Sequence, residues 1–580
     1  MIRKKLSKKE KLDYFSRLYE KARMAYTDRL ESYERNMAQY RGSLKIDGSC
    51  ENAATVRNIS YEIIESQISC DIPRPKVDAS CYSQKRTRNA SSIERLLSSL
   101  RDSLPFEQLN DCDERYTYIY GASVWYVEWN NKKRVGREVG GVDLYCLSPD
   151  SFIPQPGVSR LEDMDYCFLR LNTSRYSLLK TYDVKESDLE LADCEYEDEG
   201  GSSDGDVISV IIAFYRNSDG EVSRFVFSGE LILEDMEAMY RRKESYCKKC
   251  GLLSENCECD EPKLESRDVL EETITQNGVS YTLPYYTPKS FPLVIRKNPS
   301  PDASVIGQSD CEFIRPEQQA INKLESRILQ KLLRAQITPI VPEDATVSLN
   351  NSVFGEVIKM KPGESASQYG KVDTTPDISQ DIIEAERLYE HSKRILGISD
   401  ALQGLDASKS ESGYARQLKI SQATGRLESK RKLKYTAYAA LDKIIFEQYL
   451  AFADEIRVLV YKDAYGRIHN AEFNRYDFIE INRENGEFYF DDAYLFSVDL
   501  NGGAEYQREA LWQRNLENLK AGTLGDPKSN VTLLRYWQSQ ERAHYPHARE
   551  NVEYFTLALE MEKGDENIGE NEYFRSELRL

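Results

Sequence analysis

The sequence has no long apolar run, few histidines and no excess of positive charge, and each shortage argues against a class of protein. The longest largely apolar stretch, Val207 to Phe214, has the length of a strand, whereas a membrane-spanning helix needs about 18 or more apolar residues. The four histidines, His391, His469, His544 and His547, give general-base chemistry few candidates. The net charge of -19 argues against tight duplex binding, which requires clustered lysine and arginine.

Catalytic signatures are also missing. A phosphate-binding loop is only imitated by Gly363 to Lys371, which has six residues between its glycines and is followed by Val372 instead of serine or threonine. Neither the HExxH pattern of zinc proteases nor the GxSxG pattern of hydrolases occurs. Asp491, Asp492 and Asp499 offer oxygen ligands for a divalent ion, although spaced carboxylates on a strand are more often solvated. The sequence therefore predicts that the chain is not an enzyme.

The length of 580 residues exceeds what one hydrophobic core normally serves, so two or more packed regions are expected. The N-terminal Met1 to Lys5 is basic but leads into a helix rich in lysine and glutamate instead of an apolar signal region, and we infer no secretion. Of the 12 cysteines, eight are scattered singly, which is typical of a reducing compartment.

The other four cysteines stand close together: Cys247, Cys250, Cys257 and Cys259. Their C-x2-C and C-x-C spacings allow a tetrahedral cage of sulfur ligands when a tight turn reverses the chain between the pairs, and Gly251 favours such a turn. We predict a structural Zn²⁺ site, because four thiolates leave no open position for a catalytic water. The same spacing admits free thiols on a solvated hairpin, disulfides or a different metal.

The stretch from Phe291 to Ile456 has the pattern of two helices joined by a small lobe. The first helix is expected to begin near Pro316, because proline suits a first turn, and to end before Pro339. The second runs from Ile378 and stops at Gly397. The residues predicted to pack these helices are Ile321, Leu324, Ile328 and Leu332 on the first and Ile378, Ile382, Leu388 and Ile395 on the second.

Between and after these helices the pattern changes twice. Residues 342–376 alternate like short strands around the Pro362-Gly363 turn, which indicates a small β-containing lobe. Residues 398–412 are too rich in serine, glycine and charge for a core segment, which favours an exposed loop. A long helix is predicted from Tyr414 towards Glu455.

The flanking regions combine helices and strands, so the predicted fold class is α+β. Ser7 to Glu10 is a capping box that should start a single helix of about nine turns reaching Tyr40. Further predicted elements are helices at 56–70, 87–112 and 505–562, the last split by Gly525 to Pro527, and strands at 124–129, 142–146, 166–171, 207–215 and 222–227. Strands between Ile456 and Leu500 are expected to complete the sheet of those strands.

The order of these segments, together with several short runs, resembles the portal proteins of tailed bacteriophages. Those runs are Asn298 to Asp310 and Ile314 to Leu324 at the first long helix, and Tyr40 to Gly42, Val56 to Tyr61, Ile72 to Lys76, Tyr120 to Gly121 and Leu147 to Asp150 upstream. No single run is a strong motif, and their order over most of the chain carries the resemblance.

The resemblance implies a portal fold whose parts follow one another along the chain. Residues 1–290 correspond to N-terminal helices and an α/β wing with a cysteine-rich insertion at 245–262, and residues 291–341 to the passage into the first stem helix. Then come the clip at 342–376, the second stem helix at 377–397, the tunnel loop at 398–412, the long helix at 413–455, wing strands at 456–504, and a helical crown with an acidic tail at 505–580.

The family's function implies a ring, dodecameric in the family, at one capsid vertex through which double-stranded DNA is packaged and ejected. The implied partners are the terminase motor, then head-completion or adaptor proteins and tail proteins, and also the major capsid and scaffolding proteins, with no membrane. The implied location is the virion, or the host cytoplasm during assembly. An acidic channel wall would let DNA slide without sticking.

The resemblance also nominates tunnel-loop residues for contact with DNA: Gln403, Asp406, Ser408, Lys409, Ser410 and Glu411. Lys409 is the only base among them, so a ring of such loops would hold DNA weakly, as a sliding contact requires. An ordinary connection between two helices is the alternative.

Two other functions fit parts of the pattern. A zinc-ribbon protein of replication or recombination would explain the cysteines, and it predicts small oligomers whose DNA affinity falls steeply with salt. A cytoplasmic scaffold of long helices would not need the lobe at 342–376. Rings with an axial hole would distinguish a portal from both.

Overall fold

The computed structural model contains both helices and strands throughout the described chain, which confirms the predicted α+β fold class. The structure describes residues 7–43, 56–81, 83–135, 138–182, 184–193, 207–248, 250, 259, 264–269, 271–276, 279–301, 304–334, 340–343, 358–363, 377–398, 413–462, 468–482, 486–499, 505–542, 545 and 548–564. No helix within these ranges is long and apolar enough to cross a membrane.

The helices occur along the whole described chain. In order they are α1 (Lys8–Ala25), α2 (Thr27–Tyr40), α3 (Ile59–Glu65), α4 (Gln84–Ser103), α5 (Phe106–Tyr120), α6 (Arg175–Tyr182), α7 (Asp310–Arg334), α8 (Ser379–Leu396), α9 (Gly413–Phe452), α10 (Glu505–Lys520), α11 (Asn530–Arg542) and α12 (Ala548–Gly564). The last three confirm the predicted C-terminal helical region and its break, where Gly525 has a φ of 121° that favours glycine.

The strands are concentrated between α5 and α7 and again after α9. In order they are β1 (Arg74–Ala79), β2 (Ala122–Val135), β3 (Glu138–Leu147), β4 (Phe152–Pro154), β5 (Tyr166–Ser174), β6 (Val207–Arg216), β7 (Val222–Ser228), β8 (Leu231–Met236), β9 (Arg242–Cys247), β10 (Leu264–Val269), β11 (Glu271–Gln276), β12 (Val279–Pro284), β13 (Leu293–Lys297), β14 (Ile340–Pro342), β15 (Ile358–Met360), β16 (Arg457–Lys462), β17 (Ile468–Phe473), β18 (Ile479–Ile481), β19 (Phe488–Phe490) and β20 (Tyr494–Asp499).

The largest described sheet has the antiparallel order β4-β5-β6-β7-β8, and a three-stranded sheet has the order β13-β2-β3. The strands after α9 were predicted to complete one sheet with the strands at 124–129, 142–146, 166–171, 207–215 and 222–227, and this prediction was wrong. β16 pairs with β17, β18 with β19, and β20 with β1. Their buried residues, among them Leu459, Phe473 and Phe490, belong to a core around α4 and α9 that is separate from the core of the larger sheet.

The N-terminal helix is two helices instead of the predicted one. The capping box is present, because Ser7 N–H donates to the Glu10 carboxylate at 2.8 Å and Glu10 N–H donates to Ser7 Oγ at 3.4 Å. At Tyr26 the backbone leaves the helix, with φ -110° and ψ 8°. The break lets Phe15 of α1 pack on the larger sheet while Tyr33 of α2 packs beside Ala122 and Ile306.

Two other helix predictions needed correction. The helix predicted at 56–70 spans only Ile59–Glu65, and it begins where the Asn58 side chain accepts a hydrogen bond from Tyr61 N–H at 3.0 Å. The helix predicted at 87–112 is divided into α4 and α5 at Leu104 and Pro105. The chain is extended at Leu104, as expected before a proline, so α4 ends there.

The second half of α9 lies in the largest apolar core. Tyr438, Leu441, Phe446 and Leu450 are buried there with residues of α4 and of the β13-β2-β3 sheet. The long helix is therefore fixed at this end by packing on two sides.

Candidate functional site

The helices α7 and α8 form an antiparallel hairpin. Lys331 near the end of α7 donates to Asp381 near the start of α8 at 2.6 Å. At the opposite end, the His391 ring lies 3.2 Å from Glu317. The predicted second helix is confirmed: α8 begins directly after Ile378, and Gly397 ends it with a φ of 76°.

The helix α7 starts at Asp310, earlier than the predicted start near Pro316. Ser309 explains the difference, because its hydroxyl accepts from Cys311 N–H at 3.1 Å and donates to the Ile119 carbonyl at 2.5 Å. This arrangement caps the helix at Ser309. Pro316 consequently lies inside the helix, where one main-chain hydrogen bond is forgone.

The carboxylate of Asp381 joins the two helices near the tip of the hairpin. It accepts hydrogen bonds from both Lys331 and Arg327 of α7. The hydrogen bond from Lys331, assisted by Arg327, holds the pKa of Asp381 below its ordinary value. Both cations are partly exposed, so solvent screens this ion pair.

The predicted packing residues of the hairpin fall into three groups. Ile321 is buried in a cluster with Ile59, Ile63, Ile314 and Tyr389, and Leu388 packs against that cluster. Leu324, Ile328 and Ile378 are half-buried. The last group, Leu332, Ile382 and Ile395, is exposed in the single chain at 49%, 45% and 39%.

A small β-containing lobe was predicted at 342–376, between α7 and α8. Within it the structure describes residues 342–343 and 358–363, and β14 pairs with β15 in parallel. The predicted tunnel loop begins at Ile398, which is buried. Its nominated residues Gln403, Asp406, Ser408, Lys409, Ser410 and Glu411 all lie outside the described residues.

A buried ionic network, which the sequence did not predict, joins the long helix to the base of the hairpin. Lys430 of α9 donates to Asp310 at 2.5 Å and to Gln67 at 2.8 Å. Asn298 also donates to Asp310, at 2.9 Å. Asp310, Gln67 and Asn298 are buried, so the network fixes the start of α7 against α9.

The network continues one turn along α9. Lys434 Nζ lies 2.8 Å from Glu114, and Arg296 of β13 lies 3.0 Å from Glu114 and 2.5 Å from Asp113. All four side chains are buried. Burial alone would raise the pKa of Glu114, but the charges of Arg296 and Lys434 outweigh it and hold that pKa below its ordinary value.

Three of the predicted metal ligands come together at the end of the β9–β10 hairpin. The Sγ atoms of Cys247, Cys250 and Cys259 all lie within 4.8 Å of one another. Tetrahedral Zn²⁺ with bonds of about 2.3 Å holds its sulfur ligands about 3.8 Å apart, which is close to this spacing. Cys247 is buried, whereas Cys250 is exposed. The fourth predicted ligand, Cys257, lies outside the described residues.

Asp491 and Asp492, between β19 and β20, are paired within the chain. Asp491 is buried and lies 2.9 Å from Arg86, so the expectation of a solvated carboxylate was wrong for it. Burial raises the pKa of Asp491, with Ala493 N–H and Arg86 opposing that rise. Asp492 accepts a hydrogen bond from the Tyr286 hydroxyl at 2.8 Å.

No known protein family and no characterised protein matches the sequence in the comparisons made with them. The function proposed below therefore depends on the order of the elements, the hairpin and the two side-chain clusters just described.

Proposed function

We propose that copies of this chain form the portal ring of a tailed phage, whose axial channel passes double-stranded DNA into and out of the capsid. The order of the central elements carries the proposal: α7, a short parallel strand pair, α8, residues 399–412 and the 40-residue helix α9. This order matches the stem, clip, stem, tunnel loop and long helix that the resemblance implies.

The outer surface of the hairpin supports assembly into a ring. Leu332, Leu333, Ile382, Ile383 and Ile395 are all exposed in the single chain. Covering apolar surface is favourable by roughly 25 cal/mol per Å². In a closed head-to-tail ring every copy covers the same patch on its neighbour, and no copy is left with a free end.

In this proposal the ring is a passive channel. The terminase docks at the tip near residues 343–375 and drives the DNA, and head-completion or tail proteins take its place afterwards. The wing and the C-terminal helices fit the capsid and scaffolding proteins. The acidic chain, with a net charge of -19, repels the phosphate backbone, so DNA slides without sticking.

Electron microscopy of the purified protein tests the ring. We expect rings with an axial hole, and we expect the double variant Ile382→Glu, Ile395→Glu to remain monomeric. Its fold should survive because both side chains already face solvent. Met24→Glu, at an exposed apolar residue of α1, is the matched control and should leave the rings intact. A stable monomer at every concentration would overturn the proposal.

The tunnel loop has a separate test. A Gly-Ser link in place of residues 399–412 leaves the buried Ile398 in position and should spare ring formation. Packaging or retention of DNA should fall, because the contact between loop and DNA is removed. Normal packaging by rings of this variant would remove the role assigned to the loop.

The cysteine cluster is part of the proposal as a structural zinc site. Cys247, Cys250 and Cys259, with Cys257 as the fourth ligand, would hold the ion and fasten the end of the β9–β10 hairpin. Elemental analysis should find about one zinc per chain. Cys250→Ser should lower that content, whereas Cys70→Ser, at an exposed cysteine elsewhere, should not. Less than about half an equivalent in metal-replete protein would exclude the site.

The convergence of three thiols also favours a second candidate, a zinc-ribbon protein that processes nucleic acid. That candidate requires DNA affinity that falls steeply with salt and disappears when residues 245–262 are deleted. The portal requires rings that survive the same deletion, so one preparation distinguishes the two functions.

A further inference from the structure

The three cysteines at the end of the β9–β10 hairpin differ in their access to solvent. Cys250 is exposed, Cys259 is half-buried, and Cys247 is exposed at only 1%. Their Sγ atoms nevertheless all lie within 4.8 Å of one another. A dissolved oxidant therefore reaches Cys250 directly and finds a shielded thiol beside it. An accessible cysteine next to a second cysteine that resolves it is the arrangement of redox-sensing sites.

The backbone between Cys247 and Cys250 suits a disulfide. Cys247 is the last residue of β9, and Lys248 and Cys250 lie in the turn that follows it. In a four-residue turn the first and last Cα atoms are less than about 7 Å apart, and a disulfide needs about 4.4–6.8 Å. The two Sγ atoms can therefore meet by rotation of their side chains, without separation of the strands.

The thiolate form of a cysteine is the form that attacks an oxidant. A bound Zn²⁺ keeps its cysteine ligands deprotonated. Cys250 as a zinc ligand is thus both accessible and in its reactive form, whereas an exposed cysteine without a metal is mostly protonated at neutral pH.

We propose that the cysteine cluster is a redox switch, in which a peroxide joins Cys250 to Cys247 and the zinc is released. The Cys250 thiolate attacks one peroxide oxygen, which breaks the O–O bond, forms a sulfenic acid on Cys250 and releases hydroxide. The Cys247 thiolate then attacks the Cys250 sulfur and displaces a second hydroxide. Two thiolates have lost two electrons to the peroxide, and the two hydroxides take up protons to give water.

This oxidation removes the link between the two sides of the hairpin. The disulfide joins two residues on the β9 side, whereas Cys259 precedes β10. The ion, left with two of its four thiolates, is no longer held in a closed tetrahedral site. The sheet formed by β9 and β10 has two strands only, and such a ribbon is marginally stable by itself. The end of the hairpin should therefore open when the zinc leaves.

The inference rests on the zinc site of the proposed function and adds its regulation. Thiols stay reduced in cytoplasm, and disulfides persist outside the cell. A phage particle passes from one environment to the other. In the proposed function the hairpin would therefore hold zinc during assembly and carry the disulfide afterwards.

Peroxide titration of the full-length, zinc-loaded protein tests the switch. Hydrogen peroxide should release about one zinc per chain to a chromogenic chelator, with one disulfide that peptide mass spectrometry maps to Cys247 and Cys250. Dithiothreitol with added zinc should restore the bound ion. Hydrogen exchange of the β9 and β10 amides should be faster in the oxidised protein than in the zinc-loaded protein.

Two variants provide matched controls. Cys250→His keeps a zinc ligand but has no thiol for the first step, so its zinc should leave roughly tenfold more slowly or not at all. Cys70→Ser, at an exposed cysteine elsewhere, should release zinc like the unaltered protein. The mapping on the unaltered protein decides the matter if Cys250→His does not fold.

The outcomes separate this inference from the site on which it rests. Zinc that stays bound in peroxide, or a disulfide that maps to another pair, would overturn the switch and leave the zinc site standing. Less than about half an equivalent of zinc before oxidation would overturn the site and the switch together. Neither result bears on the ring.

Discussion

Lys434, Glu114 and Arg296 come from three different elements and meet where no bulk water reaches them. Removing one member of such a group leaves an uncompensated charge inside the protein, which costs more than the loss of a surface ion pair. We expect Lys434→Met to lower the free energy of unfolding by about 3–5 kcal/mol in a denaturant titration. Lys432→Met, at an exposed lysine of the same helix, should change it by less than about 0.5 kcal/mol.

The loss of unfolding free energy caused by Lys434→Met should depend on pH because of Glu114. Its pKa is lower in the folded chain than its ordinary value of 4.5, so the unfolded chain binds more protons as acid is added. The stabilisation that ionised Glu114 gives to the folded chain is complete above pH 4.5 and is lost as the pH falls through the pKa of Glu114 in the folded chain. The stability advantage of the unaltered protein over Lys434→Met should therefore shrink below pH 4.5. A difference that is constant from pH 7 to pH 3 would contradict the assignment.

Gly307, near the start of α7, is the basis of another prediction about a single residue. A Cβ added to Gly307 would lie 2.1 Å from the Asn298 carbonyl oxygen and 2.6 Å from that of Gly121. Both obstacles are backbone, so neither can rotate away. We expect Gly307→Ala to lower the free energy of unfolding by about 3 kcal/mol or more. Gly220→Ala, where no atom lies within 4 Å, should cost only about 1 kcal/mol from its positive φ.

At the scale of elements, the α7–α8 hairpin depends on Asp381 near its tip. Asp381→Asn should loosen the start of α8, because the carboxamide carries no charge for Lys331 and Arg327. We expect about two- to fivefold faster hydrogen exchange of the amides there, in keeping with a solvent-screened pair. Glu384→Gln, which removes an exposed pair within α8 alone, should leave that exchange unchanged. Equal effects of both variants would contradict the link between the helices.

Local patterns in the sequence predicted where helices begin and end better than they predicted which elements pair with one another. Ser7 with Glu10, and Gly397, fixed helix ends correctly, because capping involves residues close in sequence. The strands after α9 were assigned to the wrong sheet, since pairing depends on distant segments such as β1. The ionic network was missed for the same reason. Its only local signal is that Lys430 and Lys434 share the apolar stripe of α9 with Tyr438 and Leu441.

The cysteine cluster also shows that the sequence predicted local features better than tertiary packing. Spacing predicted four ligands, and the structure brings Cys247, Cys250 and Cys259 together because β9 and β10 pair on either side of them. Sequence spacing did not indicate that Cys247 would be buried while Cys250 remains exposed.

At the scale of the whole molecule, we expect tyrosines whose pKa values are raised in the folded chain to limit its alkaline stability. Burial raises the pKa of Tyr449 and of Tyr494 to about 12, and burial together with the hydrogen bond to Glu65 raises that of Tyr40 to about 12. Their stabilisation is complete below the ordinary pKa of 10.0 and is lost as the pH rises through about 12. We expect part of the tyrosinate absorbance to appear only as the tryptophan fluorescence reports unfolding. Reversible ionisation of all 38 tyrosines near pH 10 would contradict this.

Of the residues of α9 whose side chains the structure describes, Lys430 makes the hydrogen bond to another element that lies nearest to Gly413. From Gly413 to Lys430 the rod measures about 25 Å at 1.5 Å per residue. A displacement of α9 at Gly413 would therefore reach, among the described contacts, the bond between Lys430 and Asp310. Asp310 is also the first residue of α7, so the displacement would be passed directly from α9 to α7.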